Sequence, residues 1–199
     1  MDSSDWDERY SGRELVWTDR ANEFLVEFTR GLPPGRSLDL AGGEGRSSVW
    51  LAERGWDATC VDFSPVGLDK AANLAAARGV TVTTIEADAT SWRCEDPFDL
   101  VVMLYLQLPE PGRTRALEAA VASVAPGGTL VVVAHDVENV SRGHGGPQDP
   151  SVCYQPDDVT RVLGDLETIE AGRRIRVVST PEGPAEAIDT VVVARRPAG

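Results

Sequence analysis

The chain has 199 residues, 42% hydrophobic and 26% charged, and its 19 Lys and Arg against 32 Asp and Glu give a formal net charge of −13. That is length enough for one sizeable core, and the charge argues against a nucleic-acid backbone or an anionic membrane as partner, since both are held by clustered cations. No apolar run nears the ~20 residues of a membrane span, the opening MDSSDWDERY is too acidic for a secretory signal, and Cys60, Cys94 and Cys153 lack metal-ligand spacing, so free thiols in a reducing cytoplasm and no metal are the expectation.

Residues 1–30 read as an N-terminal cap segment followed by a helix. Trp6, Tyr10 and Trp17 stand among charges, and ANEFLVEFTRGLPPG places Phe24, Leu25 and Phe28 at helical spacing before a Gly-Pro-Pro-Gly stop. This helix is expected to pack on the first strand. An alternation then begins. RSLDLA reads as a strand, RSSVWLAERG as a helix closed by Gly55, and DATCVD as a strand ending in an acid. SPVGLDKAANLAAARG reads as a helix capped by Ser64, with Pro65 at its first position and Gly79 as its stop. VTVTTIEAD is a β-branched strand that also ends in an acid, and FDLVVMLYLQL is apolar enough for a strand buried on both faces. PGRTRALEAAVASVAPGG reads as a helix with a Pro-Gly-Gly exit, and TLVVVAHD as the fifth strand.

Strand and helix in alternation with short connections mean a parallel sheet covered on both faces. After residue 136 the pattern changes. Residues 137–155 are Gly/Pro-rich and long enough to suggest function. A short helix over 156–164 follows, then RRIRVVST and AEAIDTVVVARR around PEGP, an antiparallel hairpin. Nothing marks a second domain, so 1–199 reads as one unit with 37–136 as its ligand-binding core.

SLDLAGGEGRSS carries the binding chemistry. In an open parallel sheet, ligands sit at the carboxyl ends of the strands, where the winding reverses. Glycines there bring the backbone close and turn amide groups outward. A P-loop needs a Lys that is missing, and a dinucleotide fingerprint needs a third Gly where Ser48 stands. The spacing acid-x-small-x-Gly-x-Gly fits S-adenosylmethionine (SAM), with Asp39, Ala41, Gly43 and Gly45 in place. Asp62 ends the second strand, where a carboxylate can accept ribose hydroxyls, and Asp88 follows the third, where one can accept an adenine amino proton. One acid at a strand end is ordinary; three on the same edge form a set.

On LDLAGGEGR, VDFSP, EADAT, FDLVV and APGGTLVVV, in that order and spacing, the chain resembles the class I SAM-dependent methyltransferases. WDERY, VWT, LPPGRSLDLAGGEGRSSVWLAERG and the HD…GHGGPQDP loop resemble the small bacterial tellurite-resistance and thiopurine-methyltransferase-like group. The resemblance implies a doubly wound α/β fold, with a seven-stranded, mostly parallel sheet in the order 3-2-1-4-5-7-6 and an antiparallel last strand. It implies amides around Ala41, Gly42 and Gly43 facing the methionine end of the cofactor, with Asp39 below them. Asp62 would take the ribose, Phe63 the adenine face, Asp88 and the amide of Ala89 the adenine edge. Leu104 and Tyr105 would flank the methionine portion, and Tyr10 and Trp17 would close over it. The family's usual GCG is Ala41-Gly42-Gly43 here, which is expected to loosen the loop.

Methyl transfer from a sulfonium mainly requires alignment of a nucleophile and exclusion of water. The two histidines are His135, which ends the fifth strand beside Asp136, and His144 in the following loop. His135 is the candidate base, and His144 between glycines suits a hinge or lid. Arg142 is a candidate for an anionic acceptor. The acceptor is expected to be a small molecule (a thiol, a metalloid oxyanion or a small O- or N-nucleophile), with the protein acting as a monomer or homodimer. A SAM-binding module without turnover and an NAD-dependent oxidoreductase are the competing readings.

Overall fold

The computed structural model describes residues 3–12 and 20–199, so Trp17 falls outside the described residues. Seven strands form one sheet in the order β3-β2-β1-β4-β5-β7-β6. They are β1 (Arg36–Leu40), β2 (Asp57–Asp62), β3 (Thr83–Glu86), β4 (Phe98–Leu104), β5 (Val124–His135), β6 (Glu167–Thr180) and β7 (Gly183–Arg195). The first five run parallel, and β7 lies antiparallel to both β5 and β6. This is the expected doubly wound sheet with its antiparallel last strand. The chain steps from β1 outward to β2 and β3, then back across to β4. The winding therefore reverses between β1 and β4, which opens a crevice at their carboxyl ends.

Helices cover both faces: α1 (Ser3–Tyr10), α2 (Glu23–Thr29), α3 (Arg46–Ala52), α4 (Pro65–Ala77), α5 (Gly112–Ala122), α6 (Asn139–Arg142) and α7 (Pro156–Thr160). Local chemistry starts several of them. The Asn22 side chain accepts from the amides of Phe24 and Leu25, and Ser64 accepts from Gly67 ahead of Pro65. Gly45 enters α3 at φ 77 and lies so close to α4 that an added Cβ would stand 2.4 Å from that of Ala71.

The central strands alternate between two cores. Leu38, Leu40, Val101, Met103, Leu130, Val132 and Ala134 face one side, and Leu100, Val102, Val131, Val133, Val191 and Val193 the other. Because both faces are covered, β4 and β5 read as unbroken apolar runs. Phe24 and Leu25 of α2 join the second set and do not lie on β1 as expected. On that face β1 offers the polar Ser37 and Asp39, while β4, β5 and β7 offer six apolar side chains. Burial of a leucine or phenylalanine is worth about 1.5–3 kcal/mol, so the helix follows the apolar surface.

Three further elements differ from their sequence reading. β3 starts only at Thr83, because the amide of Val80 still closes the end of α4 on Ala75 O. α7 stops at Thr160, and Ala125 to Gly128 belong to β5, with an irregular register between the Phe98 and Leu100 pairings. Residues 137–155 are not a bare loop. They hold α6 and a 3₁₀ turn at Pro150–Val152, and a parallel bridge joins Asp136 to Tyr154. Asn139 fastens the segment, donating 2.8 Å to Gly145 O and accepting 2.8 Å from the Ile188 amide.

The final hairpin is longer than the sequence suggested. Its pairing with β5 ends at His135–Asp189, but β6 and β7 stay paired out to Thr180–Gly183. The hairpin thus stands beyond the carboxyl edge of the sheet, beside the crevice. Ile175 and Val177 are exposed on this arm at 59% and 69%.

Candidate functional site

Asp39, Asp62 and the glycine loop form one buried unit. Ser48, in α3, donates to Asp39 Oδ2 from its amide at 3.1 Å and its hydroxyl at 2.8 Å. Asp62 takes the Gly43 amide on Oδ2 at 2.8 Å and the Ser64 amide on Oδ1 at 2.9 Å. The Gly42 amide donates to Val61 O at 3.0 Å. The amides of Gly42 and Gly43 are therefore turned to β2 and do not face a ligand, contrary to the sequence expectation. The reason is that two buried neighbours, a strand-end carbonyl and a carboxylate, require those donors.

Gly42 does not loosen the loop either. A Cβ there would stand 2.6 Å from Cys60 Sγ and 2.9 Å from the Asp39 carboxyl. The bulk that the family usually carries in the loop is supplied here from β2. Ala41 adopts φ 63, a left-handed conformation that glycine takes without strain.

Burial raises the pKa of Asp39 to about 6, against the bonds from Ser48 and the nearby Arg46, and Asp62 adds to the rise. Asp62 is also pushed up by burial, partly offset by the amides of Ser64, Gly43 and Phe63, while Asp7 raises it further. Asp7 reaches this cluster because α1 docks on α4, where the Ser64 hydroxyl donates to it. Three acids thus converge beneath the loop. Arg46 stands among them, a largely buried cation that interacts with Asp39, Glu44 and Tyr105.

The other predicted residues lie around this unit. Phe63 is half-buried at the start of the α4 turn, and Asp88 is exposed beyond β3, its Oδ1 accepting from the Thr90 amide at 2.7 Å. Ala89 is buried, and Leu104 half-buried at the end of β4. Tyr10 is 5% exposed and lies on the glycines, its hydroxyl 2.7 Å from where a Gly43 Cβ would be and its ring 3.2 Å from a Gly67 Cβ.

Residues 38–128 match the family described as a methyltransferase domain. Over those residues the chain is similar to methyltransferase domains, and its sheet has the strand order that the resemblance implied. A demethylmenaquinone methyltransferase of Thermus thermophilus is 36% identical over 125 residues, covering 61% of this chain and 55% of the relative. The chain spans about half the length of the curated relatives it matches. Among solved structures, TehB of Haemophilus influenzae superposes with a TM-score of 0.73 at 16% identity, covering 98% of this chain and 66% of that one. The N-methyltransferase NodS of Bradyrhizobium japonicum WM9, in complex with S-adenosyl-L-homocysteine, gives a TM-score of 0.71 at 17% identity, with 98% of each chain covered. At these identities the structural likeness is one of fold.

Across the crevice is a second polar cluster that the sequence reading did not assemble. Tyr105, at φ 59 just past β4, donates its hydroxyl to Asp189 Oδ2 at 2.8 Å and accepts from Asn22 Nδ2 at 2.9 Å. Its hydroxyl is thereby directed to β7. Arg176 Nε donates to the same Asp189 oxygen at 2.8 Å, and its guanidinium stands 5.5 Å over the Tyr105 ring. Burial and the Asp189 charge push the Tyr105 phenol well above its usual range, so it stays a donor. Burial would raise Asp189, but His135, Arg176 and Tyr105 hold it below the usual carboxylate range.

His135 lies against this cluster, its ring 4.8 Å from that of Tyr105 and its Nδ1 3.4 Å from Asp189 Oδ1. Gln107 accepts from the His135 amide at 3.1 Å and donates to Val152 O at 2.8 Å, which ties the ends of β4 and β5 to the 137–155 segment. His144 is exposed, with its amide on Glu186 O, and Arg142 is exposed and paired with Glu138 at 2.7 Å. Asp189 had one sequence signal, a lone carboxylate in the apolar run AIDTVVVA. Arg176 had none, standing on an edge strand among other arginines.

Proposed function

We propose that this protein transfers the methyl group of SAM to a small-molecule acceptor, with residues 1–199 acting as one catalytic unit. The observation that carries this reading is the clamp of Asp62 on the Gly43 amide within an acid-lined crevice at the β1–β4 switch point. SAM supplies an activated methyl group when bound. Asp62 would accept from a ribose hydroxyl beside the amides it already holds, and Asp88 has Oδ2 for an adenine amino group. Ala41 to Gly43 and Leu104 would line the methionine end, Phe63 and Ala89 the adenine, and Tyr10 would cover the loop. His135, on the opposite wall, receives the proton of an acceptor that has one to lose.

A small acceptor, with neither nucleic acid nor membrane involved, is supported by the charge of −13, and no helix among the described residues is long and apolar enough to cross a membrane. The Thermus relative, named for demethylmenaquinone, adds that compound to the candidate acceptors.

Calorimetry with SAM and S-adenosylhomocysteine tests the cofactor, and Asp62→Ala is expected to weaken both by about tenfold or more, the loss of charged hydrogen bonds. Release of S-adenosylhomocysteine over a panel of thiols, tellurite, small O- and N-nucleophiles and demethylmenaquinone tests the reaction. Binding without consumption across that panel would make the protein a SAM-binding module, and the absence of binding would end both readings.

A further inference from the structure

We propose that Asp189 is the positioning residue for His135: it holds the proton on Nδ1 and leaves Nε2 as the atom that takes the acceptor's proton. This rests on the methyl-transfer reading above.

Asp189 is fully buried and His135 is 16% exposed by side chain. His135 Nδ1 and Asp189 Oδ1 face each other at 3.4 Å, both buried and both without another hydrogen-bond partner among the described residues. Tyr105 and Arg176 both donate to Oδ2, so Oδ1 is left for the imidazole. An ionised carboxylate only accepts. If Nδ1 carried its lone pair, two acceptors would oppose each other in a buried site. A proton on Nδ1 satisfies both atoms, and the neutral ring then has its lone pair on Nε2.

Two neighbours pack on the ring and hold it in place. Gly146, at φ 74, passes over the Cγ side of the ring, where an added Cβ would stand 2.9 Å from Cγ and Nδ1 and 3.0 Å from Cδ2. Tyr105 packs against the ring 4.8 Å away. In the step itself the acceptor's lone pair forms the bond to the methyl carbon, the carbon–sulfur pair stays on sulfur, and the acceptor's proton passes to Nε2. The imidazolium so formed faces the Asp189 carboxylate and later gives the proton to water. An acceptor that arrives as an anion has no proton to give and does not use this pair.

The test reads the proton directly. With His144→Gln leaving a single histidine, ¹⁵N spectra of the labelled protein are expected to show neutral His135 protonated on Nδ1. In Asp189→Asn the amide donates to Nδ1, and the proton is expected on Nε2. For a proton-bearing acceptor, Asp189→Asn is expected to lower kcat about 10²–10⁴-fold, with the SAM dissociation constant within about twofold of wild type. His135→Gln should lose as much, and the double variant no more. An Nε2-protonated ring in the otherwise unaltered protein overturns the proposal without relying on any variant that might misfold. Multiplying losses in the double variant, or loss of SAM binding in Asp189→Asn, would give Asp189 a structural role and overturn it as well. An Nδ1-protonated ring with no turnover of any acceptor overturns the transfer reading and the role of Nε2 as a base.

Discussion

The hydroxyl of Tyr105 donates 2.8 Å to Asp189 Oδ2 across 84 residues of sequence. It joins the end of β4 to β7, and through Asn22 Nδ2 it also holds the start of α2. The left-handed backbone at Tyr105, φ 59, is costly for an aromatic residue, and the two bonds anchor it. Tyr105→Phe leaves Asn22 Nδ2 without its acceptor and removes a donor from Asp189. It is expected to cost about 1–3 kcal/mol, read as a lower urea midpoint with an unchanged slope.

Asp39 makes stability pH-dependent. Its folded pKa of about 6 lies above the unfolded carboxylate value, so the folded state holds the extra proton. The stability this contributes is complete below about pH 4 and is lost as pH rises through about 6, a swing of roughly 2–3 kcal/mol. Asp39→Asn keeps an acceptor for Ser48 without the charge. Its melting temperature relative to wild type is expected to be higher at pH 7.5, and the advantage to vanish by pH 4. A constant difference across that range would contradict the assignment. A cationic ligand above Asp39 draws the proton off, so SAM binding near pH 6 is expected to release protons, which calorimetry in buffers of different ionisation enthalpy detects.

The glycine loop predicts opposite responses at neighbouring positions. Gly43→Ala meets φ 54 and the Tyr10 hydroxyl, and is expected to cost about 1–3 kcal/mol. Ala41→Gly relieves a left-handed alanine but frees the unfolded chain, and should stay within about 1 kcal/mol of wild type. Gly42→Cys restores the family's usual residue and collides with Cys60 Sγ. Adding Cys60→Ala is expected to recover about 1 kcal/mol or more in a double-mutant cycle, read by denaturant unfolding.

Gly146→Ala drives a methyl group into the His135 ring from the 137–155 segment. Displacement of the imidazole is expected to lower kcat for proton-bearing acceptors about tenfold or more while leaving SAM affinity unchanged. An equal loss of SAM affinity would place the effect on the cofactor side.

The architecture was legible because it is written in local pattern. Val and Leu runs marked the buried strands, Ser64-Pro65 started a helix, and Asp39, Asp62 and Asp88 each ended or followed a strand on one sheet edge. The cofactor half of the site comes from three successive strand ends, and in a doubly wound sheet successive strand ends share an edge. Sequence order therefore places those residues together before any coordinate is known.

The acceptor half obeys no such rule. Asn22, Tyr105, His135, Arg176 and Asp189 come from five separate elements, and an antiparallel hairpin folded against β5 is what brings His135 beside Asp189. Sequence supplied the histidine but not its partner, because the pairing depends on the register of β7 against β5. It also misjudged Gly42 and the loop amides, since which donors are spent internally depends on Cys60 and Asp62, packed from the neighbouring strand. The sequence by itself determined the alternating strands and helices, because periodicity and turn chemistry are local, and its resemblance to the methyltransferases implied their order. Tertiary structure decided which buried carboxylate faces which imidazole, because that is set by contacts between segments far apart in the chain.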